Sequence, residues 1–133
     1  MKQSFRFLTG YSGSALLGMS AVILGALGAH YLRDKISVMQ MGYWEKAVHY
    51  QFWHVLAILL CAQFESAQKR SYRFPVNLFY AGIFLFSGSL YGLALSDYHA
   101  IPKWLLGPMT PIGGICWVVA WGFLALRLWE KQE

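Results

Sequence analysis

Four stretches of this chain, residues 7–32, 47–64, 74–96 and 104–126, contain no Asp, Glu, Lys or Arg. They are 18 to 26 residues long, and all seventeen charged residues fall in the 43 positions outside them. A hydrocarbon layer about 30 Å thick is crossed by roughly 20 helical residues at about 1.5 Å each. Within that layer only helices or closed barrels satisfy their backbone hydrogen bonds. These stretches lack the alternation of barrel strands, so each reads as a membrane-spanning helix. The expected fold is an all-α integral membrane protein, four transmembrane helices in one up-and-down bundle. A single domain accounts for residues 1–133.

Composition removes the competing classes. With 57% hydrophobic and 13% charged residues, a water-soluble fold would expose too much apolar surface. The net charge of +5 comes from small groups flanking the spans, with no basic stripe, so no nucleic-acid partner is expected. Lys2, Arg6, Lys69, Arg70, Arg73, Arg127 and Lys131 fall on one side; Arg33, Lys35, Lys46 and Lys103 fall on the other. The excess of cations places both termini in the cytoplasm. The first apolar run exceeds a signal-peptide core and is followed by Arg33 and Lys35, so it reads as an uncleaved span. Cys61 and Cys116 form no Cys-x-x-Cys pair and read as small apolar residues.

Small residues mark two faces for close packing: Ala21, Gly25 and Ala29 on span one, Gly88, Gly92 and Ser96 on span three. In the connector 33–46, Ile36, Met39 and Tyr43 suit one side of an interfacial helix, with Tyr43 and Trp44 at headgroup level. Thr110-Pro111 reads as an N-cap and first helical position, which would leave Gly107-Pro108 non-helical beneath the membrane surface. The plainer alternative is a proline kink in a continuous helix. Residues 115–126 read as an ordinary apolar helix.

Counting helical rise from the span ends brings polar side chains of every span into one half of the bundle. His30 falls near the boundary; Gln51 and His54 lie about 6–10 Å inside it, Ser87, Ser89 and Tyr91 about 8–14 Å, and Thr110 about 9 Å. His30, Gln51, His54, Ser87, Ser89, Tyr91 and Thr110 are therefore the candidate ligand-binding residues. Gln51 and His54, three apart, share a helix face, as nearly do Tyr50 and His54. His49 and His54, five apart, diverge. His99, in a connector, is expected to be solvated. A His30–His54 pair as haem or metal ligands lacks any carboxylate within the spans to orient it, so no metal and no cofactor is expected. Paired carboxylates, a nucleophile elbow, a phosphate loop and a zinc-protease signature are all absent, and no catalytic residues are assigned.

Four ordered segments carry a resemblance: Gly25-Ala26-Leu27-Gly28-Ala29-His30; Tyr50-Gln51-Phe52-Trp53-His54; Phe86-Ser87-Gly88-Ser89-Leu90-Tyr91; and Thr110-Pro111-Ile112-Gly113-Gly114. Together they resemble the YgdD/YwdK-like small bacterial inner-membrane proteins. That resemblance implies a multi-pass protein of the bacterial inner membrane and supplies no mechanism. Three functions compete: a binding or transport module for a small polar ligand or ion, acting as a homo-oligomer; a structural or assembly subunit of a larger membrane complex; and, last, an intramembrane enzyme using His54 as general base, for which no orienting acid or metal set is evident. The lipid bilayer is a partner in each.

Overall fold

The computed structural model describes residues 11–130. Helix α1, Tyr11–Leu27, runs into a π-helical turn at Gly28–Leu32. Helix α2 is Val38–Gln68. Helix α3, Arg73–Gly82, passes through a second π turn, Ile83–Ser87, into α4, Gly88–Ala94. Helix α5 is Lys103–Trp129. The spans are thus Tyr11–Leu32, Val38–Gln68, Arg73–Ala94 and Lys103–Trp129, each long and apolar enough to cross a bilayer. Among the described residues there is no strand.

Bonds between connectors show the up-and-down order. Tyr98 Oη, beyond span three, donates to Lys35 O after span one at 2.9 Å, so those connectors share one end. At the other end Arg70 meets Glu130 at 3.5 Å, bringing the loop between spans two and three beside the end of span four. Lys2, Arg6 and Lys131, counted for orientation, lie outside the described residues.

Span two starts at Val38, earlier than the uncharged stretch at 47, because a local signal outweighs the charges at Glu45 and Lys46. Ser37 caps the helix: its Oγ accepts from Gln40 N at 3.2 Å, and Gln40 Oε1 accepts from Ser37 N at 2.8 Å. This reciprocal box satisfies two backbone donors that a helix start otherwise leaves open. The expected interfacial helix around Met39 and Tyr43 is therefore the first turns of span two. Trp44, expected at headgroup level, is 3% exposed and donates to Leu24 O on span one at 2.8 Å. Span four is unbroken from Lys103, with Pro108 and Pro111 inside it, so the non-helical approach at Gly107-Pro108 is not formed. Each proline frees the carbonyl four residues back, Trp104 and Gly107, and both residues are exposed near the helix start.

Backbones pack closely in sequence order, one on two, two on three, three on four. Of the small faces, Ala21 is buried, Gly25 faces Val48 and Gly92 abuts Leu106, whereas Ala29 and Gly88 are exposed. Spans two and four meet chiefly through rings: Tyr50 and His54 from span two, Trp117 and Trp121 from span four. Phe79 and Phe86 from span three fill between them.

The second π turn fixes the join between spans three and four. Gly88 N–H bonds to Ile83 O, five residues back. Gly113 lies so close to this turn that a Cβ there would stand 2.5 Å from Phe86 N. Only glycine admits that backbone approach.

Candidate functional site

An uncharged amide in hydrocarbon needs partners, because lipid supplies none. Gln51, 3% exposed, uses its whole side chain. Its Nε2 donates to Leu17 O at 2.8 Å and to Ser20 Oγ at 2.9 Å, while its Oε1 accepts from Tyr91 Oη at 2.9 Å. One side chain thereby ties spans one, two and three. Fully buried Ser87 donates to Ala47 O on span two at 2.8 Å. Ser89 Oγ and Thr110 Oγ1 lie 2.6 Å apart, joining spans three and four. Ser89 commits its proton to Phe86 O at 2.9 Å, which leaves Thr110 as the donor in that pair.

Ser89 and Tyr91, two residues apart on span three, thus reach Thr110 and Gln51, so all four spans bring polar groups to a common level. The groups are consumed in separate ties and do not converge on one cavity. No buried side-chain nitrogen or oxygen among the described residues lacks a partner. His30 is exposed on the first π turn and joins none of these ties.

His54 stands apart from Gln51 although they are three residues apart. Gln51 turns toward spans one and three; His54 turns toward span four. Its Nδ1 lies 2.7 Å from Tyr50 O. A carbonyl only accepts, so Nδ1 carries a proton and donates. Nε2 then offers a lone pair, and Trp121 Nε1–H donates to it at 3.3 Å. The imidazole is parallel to the Trp117 indole, 2° between planes and 3.7 Å between centroids. Trp117 is itself pinned, donating Nε1–H to Phe79 O at 3.1 Å.

These rings wall a cavity of about 720 Å³, lined by Tyr50, His54, Phe86, Trp117 and Trp121, with Pro111 and Gly114 forming the span-four backbone side. That volume suits a small molecule, as does an apolar wall with few polar groups. Trp53, Ile115, Val118 and Trp121 at its rim are 44 to 72% exposed, so the cavity opens sideways from the bundle. Of the seven candidate residues, His54 alone lines it. None of the other aromatic walls is among the seven candidates, and residues 115–126, expected to be an ordinary apolar helix, supply two of them. Their signal was present: Trp117 and Trp121 are four apart, and Tyr50, Trp53 and His54 follow an i, i+3, i+4 spacing.

His99, expected to be solvated, is half-buried. Its Nε2–H donates to Gly92 O at 2.7 Å and its Nδ1 accepts from Ile101 N at 3.0 Å, so it closes the end of span three. Gln40 Nε2 donates to Asp97 at 2.9 Å in the same region. Cys61 is in the core and Cys116 is half-buried, both as free thiols. No cluster of three His, Cys, Asp or Glu side chains placed to hold a metal lies among the described residues.

The family model described as "Protein of unknown function (DUF423)" matches residues 24–114. The chain is similar to a UPF0382 membrane protein of Staphylococcus epidermidis (strain ATCC 12228), 40% identical over 112 residues, 84% of this chain and 88% of the relative. It is equally similar to one from Staphylococcus aureus (strain bovine RF122), 40% over 116 residues, covering 87% and 91%. Another, from Staphylococcus haemolyticus, is 38% identical over 116 residues. No solved structure matches. The relatives are bacterial membrane proteins, and the four span-forming helices are consistent with the plasma membrane. This multi-pass helical chain belongs to the DUF423 family, whose Staphylococcus members are named UPF0382 membrane proteins.

Proposed function

We propose that this protein is a membrane-embedded binding module that admits a small ligand from the side, between spans two and four. The observation that carries the reading is the cavity of about 720 Å³ whose aromatic walls surround one imidazole acceptor, His54 Nε2. A sideways opening and apolar rim suit a molecule dissolved in the bilayer better than an ion. The other polar candidates act in this reading as the frame, since Gln51, Ser87, Ser89, Tyr91 and Thr110 spend their hydrogen bonds on neighbouring helices. Transport of a polar solute would need self-association, because one short bundle has little room for an aqueous path. The cytoplasmic placement of both termini, and the narrower grouping with YgdD/YwdK-like proteins, belong to the same proposal.

Gly114→Leu tests it. A Cβ at Gly114 meets only the edge of the Phe86 ring, at 3.8 to 4.0 Å, so leucine there occupies the cavity without touching the ties. Wild-type protein purified in mild detergent should retain an extractable small molecule, or be protected from heat by a membrane extract. Gly114→Leu should lose either property with its helical circular dichroism unchanged. Equal behaviour of the two proteins would overturn the reading.

The second reading is a structural or assembly subunit. It is favoured by the complete pairing of buried polar side-chain atoms among the described residues, the pattern of a bundle locked for its own sake. Co-purification of an unrelated membrane subunit in fixed stoichiometry, unaffected by Gly114→Leu, would support it.

A further inference from the structure

We infer that the occupant of the cavity between spans two and four is a flat, ring-containing molecule bearing a hydroxyl group, an inference that rests on the binding role proposed above. Two residues of the cavity lining are hydrogen-bonded to each other at 3.3 Å, Trp121 Nε1–H as donor and His54 Nε2 as acceptor. Their separation is at the loose end of hydrogen bonding. Neither atom can reverse its role. Indole nitrogen only donates, and Nδ1–H of His54 is committed to Tyr50 O at 2.7 Å, which holds Nε2 as a bare lone pair.

A ligand group that parts this pair must accept from Trp121 and donate to His54 from nearly one point. A hydroxyl oxygen does both. An ether or ketone oxygen satisfies Trp121 and leaves Nε2 unpaired, at the cost of a buried acceptor without a partner. An ion is disfavoured by the apolar wall. Trp121 has room to yield, since it is 44% exposed and meets Phe79 edge-on at 5.3 Å. His54 does not yield, being stacked on Trp117 and only 6% exposed. The acceptor is thus fixed and the donor adjusts.

The walls select the body of the ligand. Tyr50 and His54 stack on Trp117, within 13° and 2° of parallel, and Trp53 and Trp121 at the rim are 55% and 44% exposed, so the lining is aromatic and its rim rings have free surface. Rings stack on such faces with a preference beyond apolar area alone.

The test uses the full chain in detergent micelles, equilibrium-dialysed against protein-free micelles so that partition into detergent cancels. The probes are 2-naphthol, 2-methoxynaphthalene and naphthalene. Wild-type protein should bind 2-naphthol about tenfold more tightly than 2-methoxynaphthalene, the difference expected for one buried acceptor left unpaired. His54→Phe keeps a flat ring against Trp117 and removes the acceptor, so that ratio should fall to about one. If His54→Phe does not fold, Trp121→Phe supplies the reading: the acceptor stays, so 2-naphthol should still bind about tenfold more tightly than 2-methoxynaphthalene, and a ratio of one there overturns the inference. Equal affinity of the wild type for all three probes overturns the hydroxyl inference and leaves the binding site standing. Failure of all three to bind overturns the site as well.

Discussion

Trp44 and Trp117 each lie buried against the helix that precedes a π turn, and each donates its indole N–H to a carbonyl four residues before that turn begins. Trp44 bonds Leu24 O at 2.8 Å ahead of the turn at Gly28; Trp117 bonds Phe79 O at 3.1 Å ahead of the turn at Ile83. A glycine makes room for each ring, Gly28 for Trp44 and Gly82 for Trp117. Their surroundings then diverge. Trp44 is closed in by Tyr91, edge to face at 4.8 Å, and by Leu24 and Met41. Trp117 carries His54 on its ring face and borders an open cavity. The same backbone device therefore seals one helix pair and builds a wall in another. The difference lies in the third helix: span three comes close enough to cover Trp44, whereas the backbone of span two stays away from span four and reaches it chiefly through rings.

The strongest way to break this comparison is to remove each indole. Trp44→Ala and Trp117→Ala should each lose about 3 kcal/mol or more of stability, read by unfolding in increasing denaturing detergent with helicity as the signal. Only Trp117→Ala should also abolish binding of naphthalene, because only that ring lines the cavity. Loss of binding in both would mean that the sealed pair and the cavity are coupled, and the comparison would fail.

Crowding the rings is a milder perturbation. Gly28→Ala and Gly82→Ala force a methyl group into Trp44 and Trp117 respectively, and each should cost about 1–3 kcal/mol by overpacking. Gly82→Ala should in addition shift Trp117 against His54 and alter the near-ultraviolet circular dichroism of the stacked rings. An unchanged aromatic spectrum would show that Trp117 does not bear on His54 as described.

The smallest effects belong to the polar ties. Gln51→Leu removes three hydrogen bonds across three spans and should cost about 1–2 kcal/mol, whereas Ser89→Ala removes the link to Thr110 and should cost about 0.6 kcal/mol. Neither should change naphthalene binding, since Gln51 and Ser89 lie outside the cavity lining. A binding loss in Gln51→Leu at full helicity would return the polar cluster to the site itself.

Much of the architecture was legible beforehand. The absence of charge over each span reflects a rule that acts along one dimension, the cost of taking a charge into hydrocarbon, so it can be counted from residue identity alone. The common level of Gln51, Ser89, Tyr91 and Thr110 was also countable, because helical rise converts position into depth. The start of span two was readable in Ser37 and Gln40 as a capping box, yet the charges at Glu45 and Lys46 pointed to a later start. Trp44 was misplaced for a related reason: depth indicates that an aromatic residue is near the surface, and it does not say whether lipid or another helix covers it.

What this chain's residues determined unaided is the number of spans, their order and the depth of each polar group. The helix rotations and offsets came only from packing, and with them the choice between a hydroxyl spent on a neighbour and one facing a void. Two side chains three positions apart, Gln51 and His54, ended in different environments because span one occupies one side of span two and the rings of span four another. Rotation about a helix axis is free in an isolated segment and is fixed only when glycines, π turns and indoles from neighbouring spans fit together. For that reason the cavity beside His54 is a property of the assembled bundle.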